Sequence, residues 1–356
     1  MSRPHLRDVP IPDLARALRL GEPSARRIAL AVHKRGALGW DGLGLGRRTR
    51  HRIERRFRFG PLLETVAVRR AADGTRKHRF RVASGEEVET VLIRNLRAVT
   101  LCVSCQAGCA LGCTLCATGR IGLRRNLSAG EITESVLRAE RDAGVRVTDV
   151  VFMGQGEPLH NYGAVLDACK NLNHDLGPCI SRKRISISTV GLTPRIRHYT
   201  DEGHPWRLYL SLHSAVQETR EALVPVARAF PLPELLEAMR EHQVRRGIPW
   251  LTLQYVAIPG VNMDRRHVDA LHERLARLRC ILNVIPYNDA GTRYRPPTWA
   301  EVKEFTTRLR ALRCPVKVRY SAGKREGMGC GQLTAETVAL GAGGGHLDAP
   351  PGVFTG

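Results

Sequence analysis

Short apolar segments alternate with longer stretches of helical periodicity over most of the chain. The apolar, β-rich segments cover residues 147–153, 184–190, 207–213, 251–258, 281–286 and 316–320, and an earlier one ends at 100–102. Apolar residues recur at three- and four-residue steps, as they do in helices, in 129–143, 162–173, 232–246, 265–278 and 300–312. Strands that alternate with helices of this length pair in parallel through right-handed crossovers. The pattern therefore predicts an α/β fold, an incomplete parallel (β/α) barrel of six or seven strands.

The chain before the barrel has a different pattern. Residues 11–20 and 24–34 have helical periodicity, and residues 62–69, 78–82 and 88–93 alternate as strands do. We therefore expect a small N-terminal helical/β accessory domain, with a helical region over 1–60 and a β-rich bridging segment over 61–98. The barrel is expected over 99–322. A C-terminal loop with a flexible tail is expected over 323–356, because this part is rich in glycine and ends in a proline-containing tip.

The excess of basic residues indicates a polyanionic partner. Lys and Arg number 56 against 34 Asp and Glu, which gives a formal net charge of +22, and the basic residues are mostly arginine. A GC-rich genome also replaces Lys by Arg, but it does not create an excess of basic over acidic residues. The excess therefore favours RNA as the partner. Arginine-rich residues 47–52 and 55–58, beside the ring of Phe57, predict a phosphate-binding surface in region 1–60, although a solvated helix face has the same pattern.

The apolar segments are no longer than strands, and none approaches the length of a membrane span. The N-terminus lacks the apolar core of a signal peptide. We therefore expect a cytoplasmic monomer that does not contact membranes. The chain has ten cysteines, and five of them lie between residues 102 and 116, which indicates cofactor or redox chemistry rather than the disulfide framework of a secreted protein.

Three of these cysteines, Cys109, Cys113 and Cys116, form a C-x3-C-x2-C run. Three thiolates in one short loop can bind three irons of a cubane and leave the fourth iron open, because clusters with complete protein ligation take four cysteines. A structural zinc site is the alternative, with Cys105 or Cys102 as the fourth ligand, and the chain would then be a non-enzymatic zinc RNA-binding protein. The loop lacks the paired C-x2-C spacing of most such zinc sites, which favours a cluster.

Polar residues follow the predicted strands where each of them ends. They are Gly156, Glu157, Ser188, Ser211, His213 and Asn288. Each is weak support alone, since a single glycine is usually a turn residue and a single histidine is usually a core residue. Because the active sites of parallel barrels lie at the carboxyl ends of the strands, these residues together predict a site at one mouth of the barrel.

Six short motifs together resemble one protein family. They are residues 102–106 (CVSCQ), 116–119 (CATG), 125–127 (RNL), 153–159 (MGQGEPL), 211–213 (SLH) and 330–333 (CGQL). In this order they resemble the RlmN/Cfr family of radical S-adenosylmethionine (SAM) RNA adenine methyltransferases, and the resemblance runs from residue 88 to residue 333. The cysteine loop alone would indicate only the radical SAM superfamily. Cys102 and Cys330, each in its motif, select the family.

The resemblance implies cofactors and a site. Cys109, Cys113 and Cys116 would bind a [4Fe-4S] cluster, and Gly156, Glu157, Ser188, Ser211, Leu212, His213 and Asn288 would contact SAM. Cys330 would accept a methyl group from one SAM, and a radical made from a second SAM would abstract hydrogen from it, so that the methyl carbon adds to adenine. Cys102 would then attack the sulfur of Cys330 and release the product with a transient disulfide. Glu89 would accept a proton. The resemblance also implies an electron donor such as flavodoxin or ferredoxin.

The motifs point to two possible target carbons. Residues 156–159 and 186–192 look closer to the branch that methylates carbon 2 of an adenosine in 23S rRNA and, in some members, in tRNA. The short N-terminal region and residues 122–127 look closer to the carbon 8, antibiotic-resistance branch. We expect carbon 2, with carbon 8 as the alternative. Residues 322–329 before Cys330 are more basic than the acidic, alanine-rich segment of the family, a departure that bears on the target RNA more than on the reaction.

Overall fold

The computed structural model describes residues 3–334, and these residues are built on one ten-stranded sheet. In chain order the strands are β1 (Leu63–Arg70), β2 (Arg76–Val82), β3 (Glu87–Asn95), β4 (Ala98–Cys102), β5 (Gln106–Cys109), β6 (Gly122–Asn126), β7 (Asp149–Phe152), β8 (Ile185–Thr189), β9 (Arg207–Ser211), β10 (Leu251–Ala257), β11 (Cys280–Pro286) and β12 (Val316–Val318). The sheet order is β1-β2-β3-β4-β7-β8-β9-β10-β11-β12, whereas β5 and β6 form a separate hairpin. Strands β4 and β7 to β12 pair in parallel. The predicted incomplete parallel barrel is therefore confirmed.

Helices connect the parallel strands. In residues 3–334 the α-helices are α1 (Leu14–Leu18), α2 (Glu22–Ala29), α3 (Arg47–Glu54), α4 (Ala129–Ala143), α5 (Tyr162–Asn173), α6 (Thr193–Asp201), α7 (Gln217–Leu223), α8 (Leu232–Arg245), α9 (Arg265–Leu275) and α10 (Trp299–Arg308). The bounds of α4 and α5 agree with the sequence prediction. Helices α6 and α7 were not predicted, because each is short and buries few apolar side chains.

Capping boxes begin two of the barrel helices. Ser128 Oγ accepts the Glu131 N–H at 3.2 Å, and the Glu131 carboxylate accepts the Ser128 N–H at 2.8 Å. Thr298 and Glu301 repeat the arrangement at the start of α10. These reciprocal bonds satisfy N–H groups of the first turn that have no partner within the helix, and so they fix where α4 and α10 begin. The largest apolar core lies between the sheet and these helices.

The N-terminal helices have an apolar core of their own. Leu6, Leu14, Ile28 and Ile53 are buried in it together with Phe57, which is 6% exposed. Phe57 therefore serves the core and does not offer its ring to a nucleic acid, whereas the phosphate-binding surface formed by the arginines stays a prediction. Arg47, Arg48 and Arg52 of α3 are exposed, whereas Arg50 is half-buried.

Strands β1 to β3 continue the barrel sheet. Each pairs antiparallel with the next, and β3 pairs antiparallel with β4, the first parallel strand. The sequence segment expected as a bridge is thus bonded directly to the barrel. Within residues 3–334, no helix is both long and apolar enough to cross a membrane. The tail predicted to be flexible lies, from residue 335 onward, outside the described residues.

Candidate functional site

A cavity opens at the carboxyl ends of the parallel strands and gathers most of the predicted site residues. Ten of them line it: Cys109, Cys113, Cys116, Gly156, Glu157, Ser188, Ser211, His213, Asn288 and Cys330. They come from the β5–β6 loop, from four strand ends and from the C-terminal segment. Parallel strands bring their carboxyl ends to one side of the sheet, which is why residues far apart in sequence meet here.

The three cysteines of the C-x3-C-x2-C run face the cavity from one tight loop. Cys109 ends β5, and the N–H of Cys116 donates to the carbonyl of Cys113 at 3.2 Å. The loop closes on Gly119, where a Cβ would lie 2.6 Å from Cys113 O and 2.8 Å from Cys113 N. Burial, together with the nearby negative groups, raises the pKa of Cys109 to about 11 and raises the pKa of Cys113 as well. These thiols therefore ionise only when a cation compensates their charge.

The cysteine loop fits a cluster better than a single metal ion. No group of three or more His, Cys, Asp or Glu side chains in residues 3–334 is close enough together to hold one ion. A cubane accepts each thiolate on a different iron, so its ligands stand farther apart. Three soft thiol donors at the edge of a roomy cavity suit iron–sulfur ligation and leave space for a further ligand.

Glu157 presents a buried carboxylate to the same cavity. Its Oε2 accepts the N–H of Val190 and its Oε1 accepts the N–H of Leu159, both at 3.0 Å. Burial raises the pKa of Glu157 to about 7, against the lowering effect of these hydrogen bonds. Gly156 before it has φ +100°, and a Cβ there would lie 2.6 Å from the Cβ of Gln106. The glycine lets the chain pass Gln106 and turn the carboxylate inward.

Two serines and a histidine line the next strands. Ser188 Oγ lies 3.2 Å from Ser211 Oγ. His213 has a left-handed backbone with φ +58°, and its Nδ1 accepts the N–H of Val256 at 3.2 Å. Burial, and then the charge of Arg220, lowers the pKa of His213 to about 3. The ring is therefore neutral with its proton on Nε2, which makes Nε2 a hydrogen-bond donor.

Cys330 reaches the cavity on a loop of residues 323–334, which we call the Cys330 loop. The N–H of Ala117, next to the cluster cysteine Cys116, donates to the carbonyl of Gly331 at 2.8 Å. Asn288 Nδ2 donates to the carbonyl of Cys330 at 3.0 Å and to Ser321 Oγ at 2.8 Å. The cysteine loop, the end of β11 and the Cys330 loop are therefore bonded to one another.

Cys102 lies behind Cys330, on β4. Its thiol is half-buried, and burial followed by the negative charge of Cys330 raises the pKa of Cys102 to about 12. Cys102 also packs against the apolar cluster that includes Met328 and Leu333 of the Cys330 loop, so the two cysteines lie in the same part of the structure although they are far apart in sequence. Cys330 itself is exposed to solvent at the cavity, and desolvation by the surrounding protein atoms together with the negative charge of Cys116 raises its pKa to about 11.

Like Cys102, two further predicted site residues do not line the cavity. Leu212 is fully buried in the main core, and its N–H donates to the carbonyl of Gln254 at 2.9 Å. Its side chain supports the strand end and does not line the cavity. Glu89, on β3, is 3% exposed and forms an ion pair with Lys77 Nζ at 2.9 Å.

The structure adds two residues that the sequence motifs did not indicate. Gln254, on β10, lines the cavity. In the sequence, only its polar side chain within an otherwise largely apolar strand sets it apart. Arg220, on α7, is 1% exposed and donates through Nη2 to the carbonyl of Val190. Its Nε and Nη1 have no hydrogen-bond partner, and no carboxylate of residues 3–334 forms an ion pair with it. A buried cation with orphaned N–H groups beside Cys113 suits a site that holds an anionic cluster.

Comparison with known proteins identifies the class. The model of the radical SAM superfamily matches residues 103–271. The crystal structure of a radical SAM methyltransferase from Sphaerobacter thermophilus is 35% identical and superposes with a TM-score of 0.86, covering 94% of this chain and 100% of that chain. The barrel and its cysteine loop are those of a radical SAM enzyme.

Closer relatives identify the family. A protein named a probable RNA methyltransferase from Anaeromyxobacter sp. (strain Fw109-5) is 44% identical over 327 residues, which cover 91% of this chain and 96% of the relative. The dual-specificity RNA methyltransferase RlmN of the same organism is 39% identical over 367 residues, covering 98% of this chain and 94% of the relative. The chain belongs to the RlmN/Cfr family of radical SAM RNA methyltransferases. It therefore uses a [4Fe-4S] cluster and SAM, and the alternative of a non-enzymatic zinc-binding protein is wrong.

Proposed function

We propose that the chain methylates carbon 2 of an adenosine in 23S rRNA, and in tRNA as a second substrate, through a methyl group carried by Cys330. The observation that carries this proposal is that Cys330 and the three cysteines of the cysteine loop line one cavity, while Cys102 packs against the apolar cluster that holds the Cys330 loop. Carbon 2 of adenine is electron-poor and does not attack SAM as an ordinary nucleophile. A route to this carbon opens if the Cys330 thiol first accepts the methyl group from SAM and the methyl carbon is then transferred to adenine.

Cys109, Cys113 and Cys116 are the proposed ligands of the cluster. When bound, the cluster supplies the single electron that cleaves SAM reductively. Glu157 is proposed to bind the ammonium group of SAM, because a buried carboxylate whose pKa is about 7 is stabilised in its ionised form by a cation. Gly156 provides the backbone turn that aims this carboxylate.

The remaining SAM contacts are proposed at the strand ends. Ser188 and Ser211 offer hydroxyl groups 3.2 Å apart, which suits hydroxyl or carboxylate oxygens of SAM. His213 offers the N–H at Nε2, and Leu212 holds this strand end from the core. Asn288 has its Nδ2 engaged by the Cys330 loop, so its Oδ1 is the atom that it offers to SAM.

Two cysteines and one carboxylate carry out the proposed transfer. The Cys330 thiolate attacks the methyl carbon of a first SAM, so a C–S bond forms and S-adenosylhomocysteine leaves. A radical made from a second SAM takes a hydrogen atom from the S-methyl group, and the resulting methylene carbon bonds to carbon 2 of adenine. The adduct must then lose one electron, for which the bound cluster in its oxidised state would be the acceptor, and the proton of carbon 2, for which Glu89 is the proposed acceptor. The Cys102 thiolate then attacks the Cys330 sulfur, the carbon–sulfur bond breaks, and the released carbon takes up a proton to become the methyl group. The disulfide formed in this step must be reduced by a dithiol before the next turnover.

The RNA partner is supported by charge and by the relatives. The net charge is +22, and Arg47, Arg48 and Arg52 of α3 are exposed, so we propose that region 1–60 contacts the phosphate backbone. We further propose that the enzyme is a cytoplasmic monomer that receives electrons from a small redox protein such as flavodoxin or ferredoxin. Residues 122–127 and the short N-terminal region, which look closer to the carbon 8 branch, keep carbon 8 as the second candidate.

Anaerobic reconstitution tests the function. The cluster-loaded protein is incubated with SAM, a reductant and 23S rRNA or tRNA, and the digested nucleosides are separated by mass spectrometry with both methyladenosine standards. We expect 2-methyladenosine from the native protein and none from Cys330→Ala. 8-Methyladenosine would replace our choice by the second candidate, and the absence of both would contradict adenine carbon methylation.

A further inference from the structure

The Cys330 loop packs on one face of the antiparallel strands. Directly opposite residues of antiparallel strands share a face, and Lys77 stands opposite Val91, which stands opposite Cys102. Met328 and Leu333 of the loop are buried against Val91, and Cys102 packs against the same cluster. The face of the sheet that carries Cys102 is therefore the face on which the Cys330 loop lies.

Three polar side chains of this part of the sheet bind the loop at its start, middle and end. Asp73 Oδ2, in the β1–β2 turn, accepts the N–H of Gly323 at 2.9 Å. Lys77 Nζ donates to the carbonyl of Gly327 at 3.0 Å. Glu89 Oε2 accepts the N–H of Thr334 at 2.9 Å. The second and third bonds bracket Cys330 on either side.

Lys77 connects the last two of these anchors. Its Nζ also lies 2.9 Å from Glu89 Oε1, and the Lys77 and Glu89 side chains are only 9% and 4% exposed. A charge removed from water to this extent needs a compensating partner, and each of the two supplies it for the other. With Oε1 on Lys77 and Oε2 on Thr334, the carboxylate is fixed in direction. The one ammonium group therefore joins β2, β3 and the loop.

We propose that Lys77 is a positioning residue for the methyl-carrying cysteine. By holding Glu89 and the Gly327 carbonyl together, it keeps the Cys330 loop closed on the sheet, with Cys330 at the cavity and next to Cys102. The antiparallel strands β1 to β3 thereby act as the docking platform of the loop. The role assigned to Cys330 rests on the proposed function, whereas the docking of the loop does not.

Hydrogen exchange on the cluster-loaded protein, without SAM or RNA, tests the docking directly. In Lys77→Met we expect the amides of 323–334 to exchange about tenfold faster or more, while those of β8 to β11 keep their rates, because a local contact controls local opening. Lys77→Arg, which keeps the charge and the donors, is expected to restore most of the protection. Arg69→Met is the matched control, since Arg69 stands opposite Lys77 on β1 but is exposed; we expect native rates.

Activity measurements separate positioning from folding. We expect Lys77→Met to lower the yield of methyladenosine about tenfold or more, while iron content and the rate of reductive SAM cleavage stay native, and Lys77→Arg to recover the yield. Native exchange rates for the amides of the Cys330 loop in Lys77→Met would overturn the proposal. An equal increase of the exchange rates over the whole sheet would also overturn it, as would a Lys77→Arg variant that recovers neither the protection of the loop nor the yield. If Cys330→Ala still methylated RNA, the proposed function would fail, but the exchange rates would still decide whether Lys77 docks the loop.

Discussion

A buried ion pair joins the N-terminal helices to the barrel, and its two partners differ in how much the fold depends on them. Arg7 Nη1 donates to Glu134 Oε2, and both side chains are at most 1% exposed. Glu134, on α4, also binds Arg138 Nε at 2.8 Å and the N–H of Leu62 at 3.1 Å. Arg7 has no second carboxylate in residues 3–334. Loss of Glu134 therefore leaves a buried cation uncompensated, whereas loss of Arg7 leaves a carboxylate that is still paired.

The expected magnitudes follow from this asymmetry. Glu134→Leu should lower the free energy of unfolding by about 3 to 5 kcal/mol, the usual cost of leaving one buried charge without its partner. At about 2.1 cal/mol/K of unfolding entropy per residue, a chain of 356 residues loses about 5 °C of Tm for ~4 kcal/mol. Arg7→Met should cost less than half as much. The double variant should be more stable than Glu134→Leu, because the stranded cation is gone.

Thermal unfolding followed by circular dichroism measures these differences on the cluster-loaded protein under anaerobic conditions. The control is Arg16→Met, since Arg16 pairs with Asp13 at the surface and exposed pairs contribute little. A Tm for Arg7→Met lower than that for Glu134→Leu would refute the reasoning, as would a double variant less stable than Glu134→Leu. Either result would show that the pair is not stabilised as the hydrogen bonds indicate.

Three further predictions concern the cavity. SAM binding should strengthen as the pH rises through about 7, where Glu157 ionises, and should be about tenfold weaker at pH 6 than on the plateau at higher pH. Equilibrium binding of SAM to the cluster-loaded protein measures this pH dependence. Glu157→Gln should lose the pH dependence, and a native pH profile in that variant would contradict the prediction. Arg220→Met should make the reduction potential of the cluster more negative in an EPR-monitored titration, because a buried positive charge near Cys113 favours the added electron; an unchanged or higher potential would refute the assignment. Gly119→Ala should lower the content of iron and sulfide per chain, because the added Cβ would lie 2.6 and 2.8 Å from backbone atoms of Cys113. A native content of iron and sulfide would show that the cysteine loop can shift to accept the Cβ, and would contradict the prediction.

The sequence predicted the parallel part of the fold well because buried strands and amphipathic helices have distinct periods. Helices α4 and α5 carry apolar residues at three- and four-residue steps over three turns or more, and their bounds were predicted as observed. Helix α7 has seven residues and buries only Arg220 and Leu223, so it has no periodic face to detect. The β5–β6 hairpin escaped prediction because the cysteine loop interrupts it and neither strand alternates clearly.

For the site, residues at strand ends were predictable and contacts between distant segments were not. Ser188, Ser211 and Asn288 follow apolar strands, and parallel pairing alone brings strand ends together. Leu212 belongs to a motif, but alternation along the strand directs its side chain into the core. The contact of Lys77 with Gly327 joins residues 250 positions apart, and only the docking of the C-terminal segment on β2 and β3 creates it.

The two-cysteine transfer is the central claim, and trapping its covalent intermediate tests it most directly. Cluster-loaded Cys102→Ala is incubated anaerobically with SAM, reductant and 23S rRNA, and the digested protein is analysed by mass spectrometry. The account predicts that Cys102→Ala accumulates an RNA adduct joined through one carbon to Cys330, because the thiol that resolves it is missing, and that Cys102→Ala/Cys330→Ala forms none. Release of methylated adenosine by Cys102→Ala at the native rate, or an adduct on any residue other than Cys330, would contradict it.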